Sequence, residues 1–96
     1  MRILIRNLDY ITVTTKLPHS IHGMTRCDGD IYRIFINEDL PYETQEFAFY
    51  HEISHILLGH VDRNLNDADL PEIEAEADAF VPTARRLIAE WDAYSA

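Results

Sequence analysis

Within the sequence, the residues best suited to chemistry are His51-Glu52-Ile53-Ser54-His55, two imidazoles four positions apart with a carboxylate directly after the first. On a helix of about 3.6 residues per turn, positions i and i+4 stack on one face, so both rings can converge on one cation. Zinc takes imidazole nitrogen at about 2.0–2.1 Å, and a hydrolytic zinc site keeps one position open to water. Glu52 lies about 100° round the helix from His51, where its carboxylate can reach a water at the ion. Two ligands and a general base on one helix are the mechanical content of this pattern. Five histidines among 96 residues raise the chance of an accidental match, and the plain alternative is a helix with exposed histidines and a solvated glutamate. The flanking residues argue against it: Phe49, Ile53, Ile56 and Leu57 make an apolar stripe on the side away from the histidines. Such a stripe seats the helix on a sheet and holds the site firmly.

A catalytic zinc needs a third protein donor. His60 is one candidate. The extended pattern HExxHxxGxxH would put Gly at 58 and His at 61, but those positions are Leu58 and Val61. His60 reads better as a residue at a helix end, where a cation suits the helix dipole. The other supply is the acidic run Glu72-Ile73-Glu74-Ala75-Glu76-Ala77-Asp78. There Ile73, Ala77, Phe80 and Val81 form a buried helical face, with Glu74 and Asp78 along one edge and Glu76 along the other. A carboxylate at such a border can reach a metal held by a neighbouring helix, and spacing leaves Glu74 and Glu76 both open. Asp78 could accept a hydrogen bond from the non-ligating nitrogen of a histidine ligand. The acids could also merely favour a helix N-terminus; that accounts for Glu72 but not for acids on both sides of one apolar stripe. His19 and His22 have no ligand spacing to the motif. Cys27 is the only cysteine, so a Cys-rich zinc site and an internal disulfide are excluded.

The elements that must position these groups read as strands first, then helices. Ile3–Arg6, Tyr10–Thr15, Ser20–Arg26 and Ile31–Ile36 are strand candidates, and Asp28-Gly29 is a turn signal that makes 20–26 and 31–36 a hairpin. Ile31–Asn37 fits equally an edge strand that pairs with an extended substrate or an interior strand. Asp39-Leu40-Pro41 predicts a helix start, with Asp39 as N-cap and Pro41 in the first turn, running to about Gly59. A polar loop, Asp62 to Asp67, follows. Asp69-Leu70-Pro71-Glu72 repeats the start signal. Pro82 should end or kink that second helix near Val81, leaving Thr83–Tyr94 as a third. Trp91 and Tyr94 should cap the core, and Arg85 and Arg86 should be solvated. The expectation is an α+β fold: a small N-terminal antiparallel or mixed sheet packed against the HExxH helix and two further C-terminal helices, as one domain over 1–96.

Composition sets the remaining bounds. A formal net charge of −9 argues against phosphate-driven nucleic-acid binding and is compatible with a basic partner or with simple solubility. No apolar run nears the roughly 18 residues of a membrane span. The segment Met1–Arg6 carries charge within its short apolar stretch, so the chain is expected to be mature and cytoplasmic.

Residues 34 to 80 resemble the ImmA/IrrE family of zinc metallopeptidases. The matching pieces are Ile34-Phe35-Ile36-Asn37, Phe47 four before His51, His51 to His60, and Glu74-Ala75-Glu76-Ala77-Asp78-Ala79-Phe80 against the family's ExEANxF segment. The resemblance implies a zincin-like domain holding one zinc on His51, His55 and Glu74, with Glu52 as general base. It implies a peptide bond as the target, commonly in a transcriptional repressor of bacterial, phage or mobile-element origin, and leaves room for an oligomer. Ser54 stands where the family often has Gly, the apolar run after Phe80 is replaced by Val81-Pro82-Thr83, and the chain is expected to start close to the sheet, without the N-terminal helix that many relatives carry. Two other functions fit the same motif: a silent zinc-containing interaction module, which would close the ion with a fourth ligand such as His60 or Asp78, and a small hydrolase or toxin acting on a non-peptide bond.

Overall fold

The structure, a computed structural model, describes residues 9–61 and 69–95. The strand expected at Ile3–Arg6 and the loop expected from Asp62 to Asp67 lie outside these residues, as does the side chain of Tyr94. Three strands, β1 (Tyr10–Thr15), β2 (Gly23–Asp28) and β3 (Ile31–Asn37), precede two helices, α1 (Tyr42–Leu57) and α2 (Leu70–Ser95). The fold is α+β, with a mixed sheet in the order β1-β3-β2. β2 and β3 form the antiparallel hairpin, with Asp28 opposite Ile31 across Gly29-Asp30. β1 joins the other side of β3 in parallel, with Val13 opposite Phe35.

β3 is therefore the central strand. It cannot be the edge that receives an extended peptide, because both of its sides are already hydrogen-bonded. Among the described residues, the free sheet edge next to α1 belongs to β2. The connection from β1 to β2 crosses the end of β3, and Asn37 organises it. The Asn37 amide is 2% exposed; it donates to the Ile21 carbonyl at 3.0 Å and accepts from the Asp39 N–H at 3.1 Å. A buried amide so fully paired specifies one loop path, because an unpaired one would lose its hydration without return.

Ile34 and Ile36 point from β3 onto α1, where they meet Ala48, Ile53 and Ile56. The far side of α1 packs on α2 through Ala84, Leu87 and Ile88, with Phe80 and Trp91 partly buried beside them. α1 is thus clamped between the sheet and α2. Tyr10 packs its ring against Phe49 at 5.9 Å; burial pushes its phenol up, with Asp92 and Tyr50 adding to the effect. Arg85 is tied down: it donates to Glu46 at 2.7 Å, lies 4.6 Å from the centre of the Tyr50 ring, and the Glu46 hydrogen bond pushes its pKa up.

Two helix boundaries differ from expectation. α1 begins one residue after Pro41, which occupies the N-cap position without a side-chain cap. Asp39 spends its N–H on Asn37, and the Gln45 amide reaches back to the Leu40 carbonyl at 2.8 Å. The second difference is larger. α2 is one helix of 26 residues with Pro82 inside it, so the two C-terminal helices expected are one. Proline removes one backbone donor and crowds the preceding turn, but Ile73, Ala77, Val81, Ala84 and Ile88 continue as one buried stripe past it. Breaking the helix at Pro82 would pull half of that stripe off α1, which costs more than one hydrogen bond.

The end of α1 shapes the site. Gly59 N–H donates to the Ile56 carbonyl at 3.1 Å and His60 N–H to the His55 carbonyl at 2.9 Å, with Gly59 at φ 77°. This pair of bonds is a Schellman turn. A side chain in that left-handed conformation costs about 1–2 kcal/mol, so glycine is the residue that closes it. The turn folds the chain back and buries His60 against α1.

Candidate metal centre and cleft

His51 and His55 project from α1 towards α2, as one-turn spacing requires. Their Nε2 atoms lie 3.0 Å apart. Glu74 Oε2, from the first turns of α2, stands 2.6 Å from His51 Nε2 and 3.3 Å from His55 Nε2. Ligand atoms around a tetrahedral zinc at about 2.0–2.1 Å are separated by about 3.3–3.4 Å. The three separations fall at or below that edge, so the donors are already gathered at one point. Two imidazoles and a carboxylate suit zinc.

The other nitrogens of both rings are occupied. His51 Nδ1 is 2.8 Å from Asp78 Oδ1. A carboxylate there accepts a hydrogen bond from Nδ1–H, which keeps the proton on Nδ1 and leaves the Nε2 lone pair facing the gathering point. His55 Nδ1 is 2.9 Å from His60 Nδ1. His60 and Asp78 therefore meet the far side of the histidines and not the donor cluster. Glu76 turns away and sits 3.2 Å from His60 Nε2. His60 lies at the helix end, as expected, but the Schellman turn has carried it into a site where it is 4% exposed.

His51, Glu52 and His55 bring one donor atom each within 4.8 Å of one another. Glu74 is nearer to both rings than that limit, while Glu52 has a partner of its own. The Thr25 hydroxyl on β2 donates to Glu52 Oε1 at 2.6 Å. One carboxylate oxygen is thereby pinned, and the other is left for the cleft.

The cleft has two lobes that meet at these residues. One, of about 510 Å³, lies between His22–Gly23 and the α1 residues Phe47, His51 and Glu52, with Glu74 and Asp78 at its far wall. The other, of about 280 Å³, runs on beneath Met24 and Thr25 towards Val61, Leu70 and Ile73. The two lobes share Gly23, at the start of β2, along with Glu52 and Glu74. Carboxylates outnumber cations along the cleft, which suits a divalent ion.

Residues 5–91 match the IrrE N-terminal-like domain, the peptidase M78 family. This chain belongs to that family. The match takes in every described strand and nearly all of both helices, well beyond the stretch of 34–80 that carries the motifs. No curated protein and no solved structure matches the chain. Peptidase M78 membership and the gathered donors together make this a metallopeptidase-like domain.

The departures from the family pattern now have physical readings. Ser54 is fully buried, and its hydroxyl donates to the Tyr50 carbonyl at 2.7 Å within the helix, so the added polar atom is satisfied. Two residues next to Glu52 escaped sequence reasoning. Thr25 is one. Gly23 is the other: a Cβ there would stand 3.1 Å from the Phe35 carbonyl and 3.3 Å from Glu52 Cγ. A lone glycine in a strand is the usual sign of such close approach, and that sign was available.

Thr25 holds Glu52 in place, so any part it has in the chemistry would run through that carboxylate. In a chain that uses Glu52 as a base, Thr25→Val is expected to lower kcat for peptide hydrolysis about 10–100-fold, with KM and metal content unchanged, because a hydrogen bond to a charged group contributes about 1.5–3 kcal/mol. Thr25→Ser should restore kcat. Equal activity of the Val and parent chains would remove this role.

Proposed function

We propose that this chain is a zinc-dependent endopeptidase. His51, His55 and Glu74 hold one zinc, Asp78 orients His51, and Glu52 is the general base. The observation that carries this reading is the meeting of His51 Nε2, His55 Nε2 and Glu74 Oε2 within 2.6–3.3 Å. A metal held there supplies Lewis acidity towards a carbonyl and towards water. The protein's own part is proton handling. Glu52, 7% exposed and fixed by Thr25, takes the proton of the attacking water and delivers it to the leaving amine nitrogen. An extended substrate would lie along the free edge of β2, with main-chain pairing supplying register.

Three protein donors leave room for substrate chemistry, whereas a structural zinc takes four. The engagement of His60 and Asp78 with the Nδ1 atoms therefore counts against a silent interaction module. Membership of a peptidase family favours a peptide over another hydrolysable bond.

The substrate we propose is a basic protein of the repressor kind, met in the cytoplasm; the net charge of −9 would speed its encounter. Among the described residues no helix is long and apolar enough to cross a membrane. The test is direct. The purified chain should carry about one zinc, and incubation with an Arg- and Lys-rich helix-turn-helix repressor should yield fragments with a new amino terminus, read by mass spectrometry. A zinc-loaded chain that opens no bond in such repressors or in a broad peptide pool would overturn the peptidase reading.

A further inference from the structure

The mechanism above makes no use of His60 or Glu76, yet the two are joined to His55 in a definite order. His60 is 4% exposed, with Nδ1 at 2.9 Å from His55 Nδ1 and Nε2 at 3.2 Å from Glu76 Oε1. Two ring nitrogens at that distance share one proton, so one donates and the other accepts. His55 Nε2 faces His51 and Glu74. If that nitrogen gives its lone pair to a metal, the neutral ring carries its proton on Nδ1. His55 Nδ1–H then donates to His60 Nδ1, which places the proton of His60 on Nε2, where it donates to the Glu76 carboxylate. The side chain of Glu76 is 55% exposed, so its charge stays solvated.

We propose that His60 and Glu76 form a positioning relay that fixes the ring and tautomer of His55 for metal binding, an inference that rests on the zinc site proposed above. His51 has a carboxylate, Asp78, directly on its Nδ1. Among the described residues the Nδ1 of His55 meets no carboxylate directly, and the Gly59 turn supplies an imidazole that bridges the gap to one. Each ligand histidine is thus backed by an acid of α2, one at first hand and one through a second ring.

The test measures zinc dissociation constants by competition with a chromophoric chelator, on the full chain. Outer partners of ligating histidines typically change metal affinity about 10–100-fold. His60→Leu removes the acceptor for His55 Nδ1–H and is expected to weaken zinc binding by that factor. His60→Asn offers a side-chain oxygen at similar reach and should retain most of the affinity. Glu76→Ala, at an exposed position, should weaken binding severalfold and shift the visible bands of the cobalt-substituted protein. Melting curves of the zinc-free variants report folding separately, and if His60→Leu does not fold, Glu76→Ala carries the test. Unchanged affinity and cobalt bands in Glu76→Ala, or equal losses in His60→Leu and His60→Asn, would overturn the relay while the zinc site stands. A parent chain that takes up no zinc would overturn both.

Discussion

Glu52→Gln is expected to bind zinc as tightly as the parent chain and to lose peptide hydrolysis about 10²–10⁴-fold, the usual contribution of a positioned acid–base group. The amide has the same shape, and its oxygen can still accept from Thr25. Its nitrogen cannot take a proton from water. Because Glu52 is nearly buried, removing its charge should not destabilise the fold. The two measurements separate two roles. Loss of zinc along with activity would make Glu52 a ligand, as its presence within 4.8 Å of the histidine donors allows. Hydrolysis that persists in a zinc-loaded Glu52→Gln chain would remove it as the base.

The second large effect is on stability. The donors come from two elements, His51 and His55 from α1 and Glu74 from α2, so an ion bound to them staples the helices together. A chain of 96 residues has a thin core, and ligand binding to the folded state alone then weighs heavily. Zinc at about one hundred times its dissociation constant should add about 2.7 kcal/mol, which raises Tm by roughly 10–20 °C in a domain of this size. A chelator should reverse the shift. His51→Ala and Glu74→Ala should each abolish it, while leaving the melting curve without zinc close to that of the parent. A Glu74→Ala chain that keeps the full zinc-dependent rise would remove Glu74 from the ligand set.

Much of this protein is decided by short-range rules. The stacking of His51 over His55 and the placement of Glu52 beside them follow from helical period alone, and the hairpin around Gly29 follows from turn chemistry. The acidic run from Glu72 to Asp78 is recognisable as a partner for the histidines because it borders an apolar stripe.

What the sequence left open depends on how elements meet. Glu74 and Glu76 are two residues apart, about 200° round a helix, and only the rotation of α2 against α1 turns the first to the histidine pair and the second to His60. Pro82 reads locally as a break, but the buried stripe that runs past it is a property of the packed pair of helices. β3 alternates like an edge or an inner strand, and its central place rests on pairing with β1, more than fifteen residues away in the chain. Thr25 reaches Glu52 across 27 positions, a contact that no local pattern encodes. Period, capping and turns act over a few residues, so they place groups on a face; tertiary packing selects which of those faces come together, and with them which acid and which hydroxyl reach the histidine helix.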